Sequence, residues 1–262
     1  MGIVNVTPDS FSDGGLFFEP DRAVTHALEL VDQGADIIDI GGETTRPGSK
    51  PIDAEMEMNR VIPVIERLAP MIDVPISIDT YKSVVAEEAI KAGAEILNDI
   101  SALHFDPEMA HTIAVHDISV ILMHIKGTPE NMQQNPHYDA LIPEIIEYLK
   151  ESIEIAQNAG IDLDKIIIDP GIGFGKSVDD GHNLKIINGL SEFKSLGRPI
   201  LVGPSRKAFI GKILDADVTD RDEGTAAVVS AAILNGANIV RVHNVGMIKK
   251  VVKVIDAIKN ET

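Results

Sequence analysis

Apolar and polar positions repeat along the chain with two different periods. Eight short runs rich in β-branched residues recur: Gly2–Val6, Asp36–Ile40, Pro75–Asp79, Glu95–Asp99, Ile118–Met123, Lys165–Asp169, Pro199–Gly203 and Asn238–Val242. Nearly continuous apolar character over so few residues predicts strands covered on both faces. Between the runs, apolar residues return every three or four positions, as in Ala23, Ala27, Leu30 and Val31, or Val84, Val85, Ala89 and Ile90. That spacing predicts helices packed along one face. Gly34-Ala35, Gly93-Ala94, Ala159-Gly160 and Gly236-Ala237 mark helix ends just ahead of the next run.

Eight strand-helix repeats in 262 residues leave about 33 residues for each, near the minimum for a βαβ unit. An eight-stranded (β/α)8 TIM barrel uses the whole length, and a doubly wound open sheet is the alternative. No linker or low-complexity segment interrupts residues 1–262, so one domain is expected.

In such a barrel the active site forms at the carboxyl ends of the strands. Here those ends carry Asn5, Asp79, Asn98 with Asp99, His124, Asp169, and Arg241 with His243. One acid at a strand end is ordinarily a helix cap or turn residue, but six strands bringing polar residues to one mouth predict a site. Glycine-rich loops follow the first, second and sixth runs and suit closure over a substrate. A phosphate-binding G-x-x-x-x-G-K-[ST] loop is excluded, because Pro170 stands where its first glycine belongs. A dinucleotide fingerprint is excluded too, since no such glycine loop follows the first run.

Charge sharpens this picture. With 23 Lys and Arg against 41 Asp and Glu, the net charge is −18, which argues against nucleic acid or an anionic membrane as partner. Against that background Ser205-Arg206-Lys207 and Arg241/His243 predict an anion site, where loops after strands seven and eight often bind phosphate. The absence of cysteine excludes disulfides, thiolate metal sites and a Cys nucleophile. No apolar stretch is long enough to span a membrane, so a cytoplasmic location is expected.

Read in order, Val4-Asn5-Val6-Thr7-Pro8-Asp9-Ser10-Phe11-Ser12-Asp13-Gly14-Gly15, Gly41-Gly42-Glu43-Thr44-Thr45-Arg46-Pro47-Gly48, Ser77-Ile78-Asp79-Thr80, Asn98-Asp99, Asp169-Pro170-Gly171-Ile172-Gly173-Phe174-Gly175-Lys176 and Ser205-Arg206-Lys207 resemble the motifs of the dihydropteroate synthase family. The resemblance implies a Mg²⁺-dependent homodimer that joins 6-hydroxymethyl-7,8-dihydropterin diphosphate to p-aminobenzoate, as sulfonamide targets do. It also implies residue roles. Asp79, Asn98, Met123, Asp169 and Lys207 would hold the pterin. Asn5, Thr45, Arg46, Arg241 and His243 would hold the diphosphate, with Asn5 as metal ligand. Phe11, Pro47, Phe174, Ser205 and Lys207 would form the p-aminobenzoate slot, and Asp9 would close over the reacting centre. Asp9, Asp79, Asp169, Lys207, Arg241 and His243 are thus the expected catalytic set. Two departures stand out: Lys126, where relatives commonly have Arg, and Pro204, where bacterial relatives often have Thr. The nearest rival readings are a pterin-binding methyltransferase, which needs no diphosphate site, and a non-catalytic pterin-binding paralogue.

Overall fold

A computed structural model describes residues 1–7 and 20–261. Its strands are β1 (Gly2–Asn5), β2 (Ile38–Gly41), β3 (Ile76–Asp79), β4 (Ile96–Asp99), β5 (Ser119–Met123), β6 (Ile166–Asp169), β7 (Leu201–Val202) and β8 (Ile239–Val240). All eight fall on the eight apolar runs. Between and after them lie α1 (Pro20–Asp32), α2 (Ala54–Leu68), α3 (Ser83–Ala92), α4 (Met109–His116), α5 (Leu141–Asn158), α6 (His182–Asn188), α7 (Ala208–Leu214), α8 (Asp222–Asn235) and α9 (Val245–Asn260).

The helices largely bury the faces that the spacing predicts. In α3 Val85 and Ala89 are buried, but Val84, one position round the helix from Val85, is 52% exposed and Ala86 takes its place on the packed face. In α1 the buried positions are Ala23, Val24, Ala27 and Leu30, and α2 opens on an Asp53 carboxylate that accepts the Met56 N–H at 2.7 Å. Helix ends follow one device. Past a left-handed glycine, the N–H of Ala35, Ala94, Ile161 or Ala237 donates back to the carbonyl of Leu30, Ala89, Ala156 or Ala232, at 2.9–3.0 Å. Three of these stops lead directly to the next strand, and the one at Gly160 does so through a short 3-10 turn at Leu163–Lys165.

Strands β1 to β6 form a parallel sheet in chain order, and β7 pairs with β8. Parallel bridges Ile168↔Ile200 and Gly2↔Val242 join the two sheets at both edges and close a (β/α)8 barrel. The β6–β7 joint is narrow, whereas across β8–β1 the Met1 amino group also donates to the Val240 carbonyl and the Val242 N–H to the Met1 carbonyl, both at 3.0 Å. Ile168 N–H donates to the Pro199 carbonyl at 2.9 Å, while Ile3 N–H and the Val242 carbonyl meet at 3.1 Å. No helix among the described residues is long and apolar enough to cross a membrane.

Side chains two apart on a strand share a face. Met1, Ile96, Ile121 and Leu201, with Ile37, Ile167 and Ile239 against them, plug the lower barrel. Burial of Ile121 or Leu201, both 0% exposed, is worth about 1.5–3 kcal/mol each. Two residues further along these strands stand Asp39, Asn98, Met123, Asp169, Gly203 and Arg241, so the apolar plug forms the floor beneath a polar layer.

Candidate active site

The polar layer is organised around Arg241. Its Nε donates to Asp39 Oδ2 at 2.5 Å and its Nη2 donates to Asp79 Oδ2 at 2.6 Å. Asn98 Nδ2 donates to the same Asp39 oxygen at 3.3 Å, and Asp39 Oδ1 is buried with no hydrogen-bond partner among the described residues. The sequence reading placed Arg241 in an anion site. In the structure its charge is committed to two carboxylates, which leaves its unused N–H groups for a ligand.

Asp39 is the residue that reading missed. It is fully buried inside β2 rather than at the strand's end, and its neighbours in register are Ile3 and Ser77. The available signal was an acid two positions beyond Ile37, on the inward face of an otherwise apolar run.

Asp169, at the end of β6, accepts the Gly171 N–H on Oδ1 at 2.7 Å, which leaves its second oxygen for a ligand. Met123 is buried beside it in register on β5. Lys207 is half-buried, and its Nζ lies 4.2 Å from the centre of the Phe174 ring, a cation–π contact. Asn5 ends β1 half-buried, paired in register with Gly41, whose other partner is Asp79.

Ser205 and His243 meet across the β7 and β8 ends. The Ser205 hydroxyl oxygen accepts the His243 backbone N–H at 3.2 Å and lies 2.8 Å from His243 Nδ1. A hydroxyl that donates to Nδ1 leaves the ring's proton on Nε2.

Burial sets the protonation of this layer. It raises the Asp79 carboxyl to about 7, with Asp39 and Glu57 adding to the rise and Arg241 opposing it. It raises Asp169 to about 6 against the Gly171 N–H and three cations. Burial, with Arg241 nearby, lowers Lys207 to about 8. Burial and the neighbouring cations hold His243 neutral, down to about 3. Arg241 itself stays charged: burial works against the charge, but Asp39 and Asp79 more than offset it.

Other expected residues are placed differently. Asp99 and His124, though at strand ends, face away from the mouth, as alternation requires. Asp99 caps the next loop, accepting from Ser101 N, Ser101 Oγ and Leu103 N at 2.7–2.8 Å. His124 is buried against Tyr148 and bonded to Lys176. Arg206 is paired with Asp222 through Nε and Nη2 at 2.7 and 3.0 Å, so its charge is spent within the scaffold. Thr45 is half-buried and Arg46 and Pro47 are exposed in the loop after β2. Pro204 is buried, and Lys126 bonds the His137 carbonyl and Glu144. Asp9 and Phe11 lie outside the described residues. Among the described residues no group of three His, Asp or Glu side chains could hold a metal ion.

A model of the pterin binding enzyme family matches residues 1–243. The dihydropteroate synthase of Bacillus subtilis is 50% identical over 261 residues, covering 100% of this chain and 88% of its own. Among solved structures, the dihydropteroate synthase from Clostridium difficile in the presence of pteroic acid superposes with a TM-score of 0.92 at 47% identity, covering 98% of this chain and 95% of that one. The Yersinia pestis dihydropteroate synthase with a sulfonamide drug gives 0.94 at 42% identity, covering 99% and 94%. On these matches the chain belongs to the pterin binding enzymes, in the dihydropteroate synthase group, a transferase family.

Proposed function

We propose that the chain joins 6-hydroxymethyl-7,8-dihydropterin diphosphate to p-aminobenzoate, giving 7,8-dihydropteroate and pyrophosphate. The observation that carries this reading is the layer of acceptors at half-buried Asp79 and buried Asn98 and Asp169, with Lys207 and Arg241 beside them. A reduced pterin offers N–H donors along one edge and a carbonyl beside them. Carboxylates and an amide accept the former, and an ammonium suits the latter. The Clostridium difficile and Yersinia pestis relatives, solved with pteroic acid and with a sulfonamide, support the same ligand classes.

The chain's residues would divide the work. Asp169 and Asp79 orient the pterin, and Lys207 donates to its carbonyl side. His243, held neutral, offers its Nε2 proton to the diphosphate, and Arg241 adds the N–H groups that Asp39 and Asp79 leave free. The methylene carbon–oxygen bond breaks with its electron pair leaving on the diphosphate, and the pterin shares the resulting positive charge. The aniline nitrogen then bonds to that carbon and releases its proton to solvent. No protein nucleophile takes part.

Mg²⁺ fits this chain as a substrate-borne ion. Asn5 supplies one hard oxygen at the β1 end, and with no three-carboxylate cluster among the described residues the other ligands would come from diphosphate and water. When bound it would offset charge developing on the leaving oxygens. A homodimer in the cytoplasm belongs to the same reading, with the exposed Leu234, Val254 and Ile258 of the adjoining α8 and α9 as apolar surface.

The test is pyrophosphate release from the dihydropterin diphosphate with Mg²⁺, with and without p-aminobenzoate, and product identified by mass. Dihydropteroate that depends on both substrates is the expected result. Tight pterin binding without product would favour the methyltransferase or paralogue reading instead.

A further inference from the structure

Lys176 is fully buried, and the proposed reaction makes no use of it. Its Nζ stands 2.9 Å from His124 Nδ1, 2.9 Å from the Phe174 carbonyl oxygen and 3.1 Å from the Gly171 carbonyl oxygen. Burial lowers the Lys176 amine well below its ordinary range, and in either charge state its N–H groups can meet both carbonyls while the head faces the His124 ring nitrogen. A lysine head taken out of water is costly unless its donors are met, so a position that keeps one there is bound to its partners.

Two of those partners are backbone carbonyls of the turn after β6, and the third is a side chain from the segment after β5. The turn has no ladder of its own, and other ties come from Gln133 Nε2 to the Gly173 carbonyl at 2.7 Å, Gly173 N–H to Asn183 Oδ1 at 2.7 Å, and the Tyr138 hydroxyl to the Gly175 carbonyl at 2.8 Å. It also lies flat on the segment after β5. A β-carbon on Gly171 would stand 1.8 Å from the His124 carbonyl oxygen, at a backbone φ of +74°. Pressed down in this way, the turn presents the Phe174 ring to Lys207.

We propose that Lys176 is a positioning residue for the arylamine slot: by drawing the Gly171 and Phe174 carbonyls onto His124, it sets the Phe174 ring as a wall against which p-aminobenzoate is held. The inference rests on the synthase reading. Asp169 also touches this turn through Gly171, but β6 holds it in register with Met123. The arylamine should therefore lose more than the pterin.

In Lys176→Met the KM for p-aminobenzoate is expected to rise at least ~10-fold, while the dissociation constant of the dihydropterin diphosphate stays within about 3-fold. The chain has no cysteine, so Lys176→Cys can be alkylated selectively in denaturant and refolded beside a wild-type control. Aminoethylation, which rebuilds an amine at lysine length, should return KM to within about 3-fold of wild type. Carbamidomethylation should not. A wild-type KM in Lys176→Met, an equal loss for both substrates, or no recovery on aminoethylation overturns the proposal. Should Lys176→Met fail to fold, Tyr138→Phe removes a different tie of the same turn. It is expected to show the same split at about 3-fold, and an unchanged arylamine KM there overturns the proposal as well. A wild-type chain that makes no dihydropteroate overturns the synthase reading along with it, whereas a wild-type KM in Lys176→Met overturns this inference alone.

Discussion

Among the described residues two part-buried cations are each held between two carboxylates, in different settings. Arg241 joins Asp39 and Asp79 across the barrel mouth, and Lys82 joins Glu43 and Glu57 at 2.6 Å each beneath the loop after β2. Each trio carries one buried carboxylate oxygen with no hydrogen-bond partner among the described residues, Asp39 Oδ1 in the first and Glu57 Oε1 in the second. The difference lies in the cation and in what surrounds it. Lys82 is a point charge, and its carboxylates are also engaged by structure: Glu43 accepts from the Tyr81 hydroxyl at 2.6 Å and from Ile52 N–H at 3.1 Å. Arg241 is a planar fork with donors to spare, set among groups that titrate near neutrality. The Lys82 trio fastens a loop, while the Arg241 trio can exchange partners with an incoming ligand.

Removing Lys82 should have the largest effect, because it strands two buried carboxylates. Lys82→Met is expected to cost about 3–5 kcal/mol in urea unfolding. A loss below about 1 kcal/mol would erase the distinction between the trios. On the other side of the comparison, Lys207→Ala or Asp169→Asn should cut turnover about 10²-fold with unfolding little changed. Near-normal kinetics in either variant would count against the assigned pocket.

The third expectation concerns pH. Asp79 and Asp169 must be ionised to accept pterin N–H groups, so kcat/KM for the pterin should fall as pH drops through about 7 and then about 6. Lys207 must keep its proton, so kcat/KM should fall again as pH rises through about 8. The profile is a bell with its top between these values. Asp39 helps to raise Asp79, so Asp39→Asn should move the acidic arm to lower pH. An unmoved arm would separate Asp39 from the trio. The smallest effect is expected for Asn5→Ala, a several-fold rise in the Mg²⁺ concentration giving half-maximal rate, consistent with a single protein ligand.

Much of this was legible in the chain. The eight runs gave the strands, and the polar residues that end them gave Asp79, Asn98, Asp169 and Arg241 as one group. Reading only strand ends, however, admitted Asp99 and His124, which alternation turns toward the helices, and passed over Asp39, which alternation turns inward. Period-two bookkeeping from Ile37 would have corrected the latter. The pairing of Arg241 with Asp39 and Asp79 was not legible, since those partners lie 202 and 162 residues away and meet only when the barrel closes. Nor was the burial of Lys176, whose partners are backbone carbonyls and a histidine from another loop.

The short β7–β8 pair and its narrow joint to β6 divide the mouth by mechanical support. Asp39, Asp79, Asn98 and Asp169 stand on four staves of the six-stranded ladder, while Ser205, Lys207, Arg241 and His243 follow the two short staves that a single bridge joins to β6. A ligand that touches both groups acts as a hoop around the barrel. Amide hydrogen exchange at Leu201–Val202 and Ile239–Val240 should therefore slow on pterin diphosphate binding more than exchange in β3 or β4, so that the reactant tightens the vessel that holds it.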